Sequence, residues 1–194
     1  MPKQKEKIEK NNQKCFSTNH YFEINDLKIY PFSIPHDAAD PCGFSIFNEG
    51  EKFSIATDIG HMTTEIMNCL EGSKFLMLEA NYEPEVLKCS HYPYLLKTRI
   101  MGPNGHLSNQ LAGKTIAHLV STGLNEVMLG HLSKENNFPE LAFNSVLEQL
   151  HYAGIDDTNI RMCVASRTSP TFLGQGSKII NTPSSSMLHP AFSL

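Results

Sequence analysis

Three stretches of the sequence bring an apolar run straight onto a side chain able to bind a metal: Ile34-Pro35-His36-Asp37, Ile55-Ala56-Thr57-Asp58 and Met128-Leu129-Gly130-His131. Each run reads as a strand, and strand ends are where α/β folds assemble their sites. A rigid end holds a ligand without the entropy cost of a mobile loop, and imidazole with carboxylate suits a borderline divalent ion such as zinc or manganese. Each residue also has a plainer use. His36 and His131 would serve equally as surface or hydrogen-bonded core imidazoles, and Asp58, before Ile59-Gly60, as a turn or helix-capping carboxylate.

Glu79 closes the apolar run Phe75-Leu76-Met77-Leu78, and His106 follows Gly102-Pro103-Asn104-Gly105. Together they would form a proton-transfer dyad, the carboxylate orienting an imidazole that acts as an acid toward a leaving oxygen or stabilises developing charge. Taken singly, Glu79 reads as a capping or salt-bridging carboxylate and His106 as a loop histidine before a Ser N-cap. Spacing alone leaves both readings open.

The elements that must position these groups follow from hydrophobic period. Residues 21–34 alternate apolar and polar around Asn25-Asp26, and residues 44–58 do so around Asn48-Glu49-Gly50, which predicts two β-hairpins. Strands and helices then alternate: a short helix over 63–70, a strand over 74–79 and helix within 85–101. Ser108 caps a helix to about 122 with Leu111, Ala112, Thr115, Ile116, Leu119 and Val120 inward. A strand over 126–129 follows, then a helix opened by Pro139 with Leu141, Phe143, Val146, Leu147 and Leu150 inward, and a last strand over 160–165. The fold class is α/β, or α+β mixed: a mixed sheet with flanking helices.

The chain of 194 residues supports one globular domain. That domain is expected over residues 21–167, between a mobile Lys-rich start at 1–20 and a flexible Ser-, Pro- and Gly-rich tail at 168–194. A net charge of −4 excludes the global basic field of a protein that grips nucleic acid by phosphate neutralisation alone. Five widely separated cysteines without a C-x-x-C pair read as reduced packing thiols. The polar start carries neither a signal sequence nor a membrane anchor, so a cytoplasmic protein without membrane contact is expected.

Taken in order, PHDAADPCGF, IATDIGH, LMLEANY, GHLSN and MLGHLSKENN resemble the WalJ (YycJ) group of metallo-β-lactamase-fold proteins over roughly residues 22–167. The resemblance implies an αββα sandwich, of which this chain would be a partial one. It also implies two metal ions at the sheet edge and hydrolysis of a phosphodiester or similar ester, with DNA, RNA or a small phosphodiester as substrate. It assigns His36 as the isolated metal-binding His, Asp58 as the carboxylate bridging the metals and His131 as the last His ligand. By similarity to the related tRNA-processing endonucleases, Glu79 and His106 become the catalytic pair.

One departure stands out. The superfamily's H-x-H-x-D-H segment, expected upstream of His36, is absent from these residues, where His20 is the one upstream histidine. Three ligands spread over two sites are too few to close a dinuclear centre, so weak metal binding and little catalysis by this chain alone are expected. The resemblance then makes the chain a truncated C-terminal portion, with the strands near 75–78 and 127–129 left with an exposed edge or face that favours a partner. That partner would be a complementary N-terminal half, as in a split hydrolase, or another copy. The alternative is a non-catalytic binding module in which Lys97, Arg99 and Lys114 contact phosphates.

Overall fold

The structure is a computed structural model that describes residues 13–156 and 160–173. The expected mobile ends therefore lie outside the described residues over 1–12 and 174–194. Before β1, Asn19 and Phe16 contact the sheet: Asn19 N–H donates to the Pro31 carbonyl (2.7 Å), and the Phe16 ring stacks on Phe22 and meets Phe44 edge-on.

Both predicted hairpins are present. β1 (Phe22–Ile24) turns at Asn25-Asp26 into β2 (Leu27–Ser33), and β3 (Cys42–Asn48) turns at Glu49-Gly50 into β4 (Glu51–Ala56). The second turn has positive φ at both central residues, Glu49 (48°) and Gly50 (82°), which matches the twist of the flanking strands. After β4 the chain alternates through α1 (Thr64–Leu70), β5 (Phe75–Glu79), α2 (Pro84–Cys89), α3 (Tyr94–Met101), α4 (Asn109–Val120), β6 (Glu126–Gly130), α5 (Pro139–Tyr152) and β7 (Arg161–Val164). The helical stretch expected within 85–101 is two helices, because Pro93 follows Ser90-His91-Tyr92 and cannot continue the first.

The seven strands lie in sequence order, antiparallel from β1 to β4 and parallel from β4 to β7. One face of this sheet forms the core: Ala56, Leu76, Leu78, Val127, Leu129 and Met162 pack with Ile66 and Leu70 of α1, Ala112, Ile116 and Leu119 of α4, and Ala142, Val146 and Leu150 of α5. Helices α4 and α5 approach closely at Gly113, where a Cβ would meet the Gln149 side chain at 2.7 Å and the Val146 Cα at 3.2 Å. Leu111, expected inward, is 44% exposed, because the buried stripe of α4 runs through Asn109, Ala112, Thr115, Ile116 and Leu119 and leaves it to one side.

The other face is different. In register across the sheet run Ile46, Phe53, Phe75, Glu126 and Arg161, and beside them Phe44, Ile55, Met77, Met128 and Cys163. None of these side chains is buried. The strands at 75–79 and 126–130 are interior strands, so what they expose is a face and not an edge. Among the described residues no helix is long and apolar enough to cross a membrane.

Candidate metal centre

The candidate residues gather at one edge of the sheet. Glu79 ends β5, Asp58 lies two residues beyond β4 and His131 one residue beyond β6, so the carboxyl ends of three neighbouring parallel strands supply them. His36 follows β2, which runs in the same direction as β4, and His106 comes from the loop between α3 and α4. Asp58 and His131 both have left-handed backbones, φ 61° and 54°. Such a conformation costs about 1–3 kcal/mol in a non-glycine residue, which persists where the surroundings fix it and clusters at functional sites.

Glu79 fixes much of it. Its carboxylate is fully buried and accepts four hydrogen bonds: the backbone N–H groups of Ile59 (2.8 Å) and Leu107 (3.3 Å) on Oε2, and Nδ1 of His106 (2.8 Å) and of His131 (2.7 Å) on Oε1. Burial would raise its pKa, but the bonds from His106 and His131, with the charge of His106 and the Ile59 N–H, hold it below the ordinary carboxylate range. His131 is pushed up in return, chiefly by its hydrogen bond to Glu79 and against its own burial, with the Glu79 and Asp58 charges adding to the rise.

These bonds decide which nitrogens remain free. An ionised carboxylate and a carbonyl only accept, so Nδ1 carries the proton in His106 and His131, bonded to Glu79, and in His36, bonded to the Gly105 carbonyl (3.0 Å). Nε2 of each neutral ring is then a bare lone pair. Asp58 Oδ1 lies 3.6 Å from Nε2 of His36 and 3.5 Å from Nε2 of His131. Two ligands of one tetrahedral ion, each about 2.1 Å from it, stand about 3.4 Å apart, so these separations leave room for an ion between them. His106 is turned differently. Its nitrogen nearest Asp58 is the protonated Nδ1, at 3.7 Å, which leaves its bare Nε2 directed away from that oxygen.

Ligand atoms of Asp58, Glu79, His106 and His131 also fall within 4.8 Å of one another. The hydrogen bonding favours the other set. Every bond Glu79 makes to its neighbours would be surrendered if it turned to an ion, whereas His36, Asp58 and His131 have lone pairs to spare. Glu79 therefore fits the outer carboxylate that orients ligating imidazoles and fixes their tautomers.

Several supporting residues were not singled out from the sequence. Asp37 lies beside His36, Oδ1 3.4 Å from Nε2, while Oδ2 receives a two-pronged bond from Arg99 Nε and NH2, both 2.6 Å. That bond lowers the Asp37 pKa. Buried Asn81 donates to the His131 carbonyl (2.8 Å) and so holds its left-handed turn. Asn137 donates to the carbonyls of Ala80 (2.8 Å) and Asn81 (3.2 Å) and exchanges bonds with Asn109, which reaches Glu83 (3.0 Å). The available signal was Asn81, Asn109 and Asn137, which follow Glu79, His106 and His131 in the segments Ala80-Asn81-Tyr82, Ser108-Asn109 and Asn136-Asn137. Of the three proposed phosphate contacts, Arg99 is committed to Asp37, Lys97 donates to the Lys88 carbonyl (2.6 Å), and Lys114 is exposed on α4.

Comparison with known proteins gives consistent results. No protein-family model matches the chain. It is 30% identical over 139 residues to exodeoxyribonuclease YycJ of Bacillus anthracis, covering 72% of this chain and 53% of that protein. To exodeoxyribonuclease WalJ of Streptococcus pneumoniae it is 32% identical over 145 residues, covering 72% and 54%. The chain thus spans about half the length of the curated relatives it matches. Among solved structures, the metallo-β-lactamase-fold protein YhfI of Bacillus subtilis superposes with a TM-score of 0.51 at 12% identity, covering 77% of this chain and 51% of that one. Zinc-bound PqqB of Methylobacterium extorquens gives 0.51 at 15% identity, covering 77% and 52%.

Proposed function

From a chain of the WalJ/YycJ type with the metallo-β-lactamase fold, we propose a metal-dependent hydrolase of phosphodiesters, with nucleic acid as the substrate class and low activity by this chain alone. The observation that carries the reading is the single Asp58 oxygen facing two bare imidazole nitrogens, those of His36 and His131. These three residues would hold zinc or manganese. A divalent ion there would polarise a phosphoryl oxygen and make water acidic enough to attack at neutral pH.

The remaining work belongs to the chain's own groups. Glu79 keeps the rings of His106 and His131 oriented, and His106, its Nδ1 bonded to Glu79, keeps Nε2 to hold a proton or deliver it to a leaving oxygen. With three donors and no H-x-H-x-D-H segment in these residues, binding is weak and turnover small. The free thiols of all five cysteines support a reducing compartment, the cytoplasm.

The test is hydrolysis of bis(p-nitrophenyl) phosphate with added manganese or zinc, alongside metal binding by calorimetry. Wild type should bind an ion and turn over slowly, and Asp58→Ala should lose both. Binding and turnover that survive Asp58→Ala would refute the assignment.

A further inference from the structure

The chain has three arginines, and two of them are bonded to carboxylates: Arg99 to Asp37 and Arg161 to Glu126. Arg167 is placed otherwise. It is exposed, and its NH2 donates to the Leu132 carbonyl (2.7 Å), a neutral partner one residue past His131. Among the described residues no carboxylate pairs with it. A guanidinium with one of its five N–H groups on a carbonyl keeps its full charge and four donors.

The backbone fixes this arginine at the rim of the metal centre. β7 is the last parallel strand, and Ala165 N–H extends its pairing to the Leu129 carbonyl (2.8 Å). Arg167 follows at the carboxyl end of that strand, the sheet edge that also carries Asp58, Glu79 and His131. The turn there is tied down: Ser166 Oγ accepts from the N–H groups of Thr168 (3.3 Å) and Ser169 (3.2 Å), and Ser166 N–H donates to Thr171 Oγ1 (2.8 Å). The Arg167 charge opposes protonation of His131, so the two are within electrostatic reach. In a chain of net charge −4, a cation without an acidic partner beside such a centre suits an anionic ligand.

We propose that Arg167 is a substrate-binding residue that holds the non-bridging oxygens of a phosphodiester beside His131. The proposal rests on the reading of the site as a phosphodiesterase and adds the group that grips the substrate. A planar guanidinium meets two phosphate oxygens with parallel N–H groups, and a nucleic-acid strand presents one such charge at every link. The bond to Leu132 holds the side chain before substrate arrives, so less rotamer freedom is lost on binding. A phosphate contact carries no sequence information, so Arg167 positions the strand without selecting bases.

Salt dependence separates a phosphate contact from an arginine that merely straps the loop after β6. Anisotropy of a fluorescein-labelled oligothymidine is followed across potassium chloride concentrations, with and without manganese. Arg167→Gln, which keeps a donor for the Leu132 carbonyl but no charge, should weaken binding about 10-fold and flatten the plot of log affinity against log salt by about 0.7, the share of one single-strand phosphate. Arg167→Ala should do the same, and Arg167→Lys should restore the slope. Lys28→Ala, at the far end of β2 from His36, should leave the slope unchanged. Zinc affinity by calorimetry should stay within a few-fold in Arg167→Gln. An unchanged slope in Arg167→Gln, or zinc affinity that falls in step with oligonucleotide binding, would overturn the proposal. In the Asp58→Ala background the same change in slope is expected, so a failed metal site and a failed Arg167 contact give different results.

Discussion

At the scale of single residues, one buried carboxylate ties the site together. Glu79 spends each oxygen twice, on two backbone N–H groups and two imidazoles, so Glu79→Gln should weaken zinc binding about 10- to 100-fold by loosening His131, measured by competition with a chromogenic chelator. Its pKa is held down in the fold, so its contribution to stability is full above the unfolded carboxylate pKa. That contribution is lost as pH falls through the depressed folded value. Urea titrations should show the gap between wild type and Glu79→Gln closing in acid; a gap that widened there would contradict the assigned shift. His106→Ala should reduce turnover about 100-fold or more while leaving metal affinity within a few-fold, because its free nitrogen points away from Asp58. The sequence exposed the residue types and, through resemblance, their grouping. It did not expose that Glu79 serves two imidazoles or that Asp58 and His131 are left-handed, since both depend on contacts between residues about 20 to 50 positions apart.

Among the elements, the loop after α3 does the positioning. Gly60 lies so close to it that a Cβ would meet the Pro103 carbonyl oxygen at 2.1 Å, and one at Gly105 would meet the Ile100 carbonyl at 2.2 Å. That loop also supplies the carbonyls of Gly105 and Pro103 that hold His36 and His61, and it carries His106. Gly60→Ala should therefore cost about 1–3 kcal/mol of stability and weaken metal binding as well, read by denaturant unfolding and calorimetry; a loss confined to stability would detach the loop from the centre. Ser108→Ala removes the side-chain cap on Leu111 N–H and should cost about 1 kcal/mol with the metal affinity unchanged. Hairpins, strands and the capped helix were legible because turn residues, period and Ser108 agree locally. The division of residues 85–101 and the exposure of Leu111 were not, since a break before Pro93 and the angle of α4 on the sheet are set by packing.

For the whole molecule, the layered order was legible in the alternation of strand and helix, and the helices α1, α4 and α5 that pack on the sheet all contribute to the core on one of its faces. Net charge of −4 provides no general attraction for a polyanion, so association with nucleic acid should depend on the ion. Manganese at fixed ionic strength should raise the affinity of wild type for a single-stranded oligonucleotide, measured by fluorescence anisotropy, and should do nothing for Asp58→Ala. The most direct measurement on the centre is long-range ¹H–¹⁵N correlation of the histidine rings during a zinc titration. Nε2 of His36 and of His131 should move to metal-bound shifts together while His106 keeps its own; movement of His106 with His131 and a static His36 would assign the ion to the other cluster and contradict the ligand set derived from the hydrogen bonds.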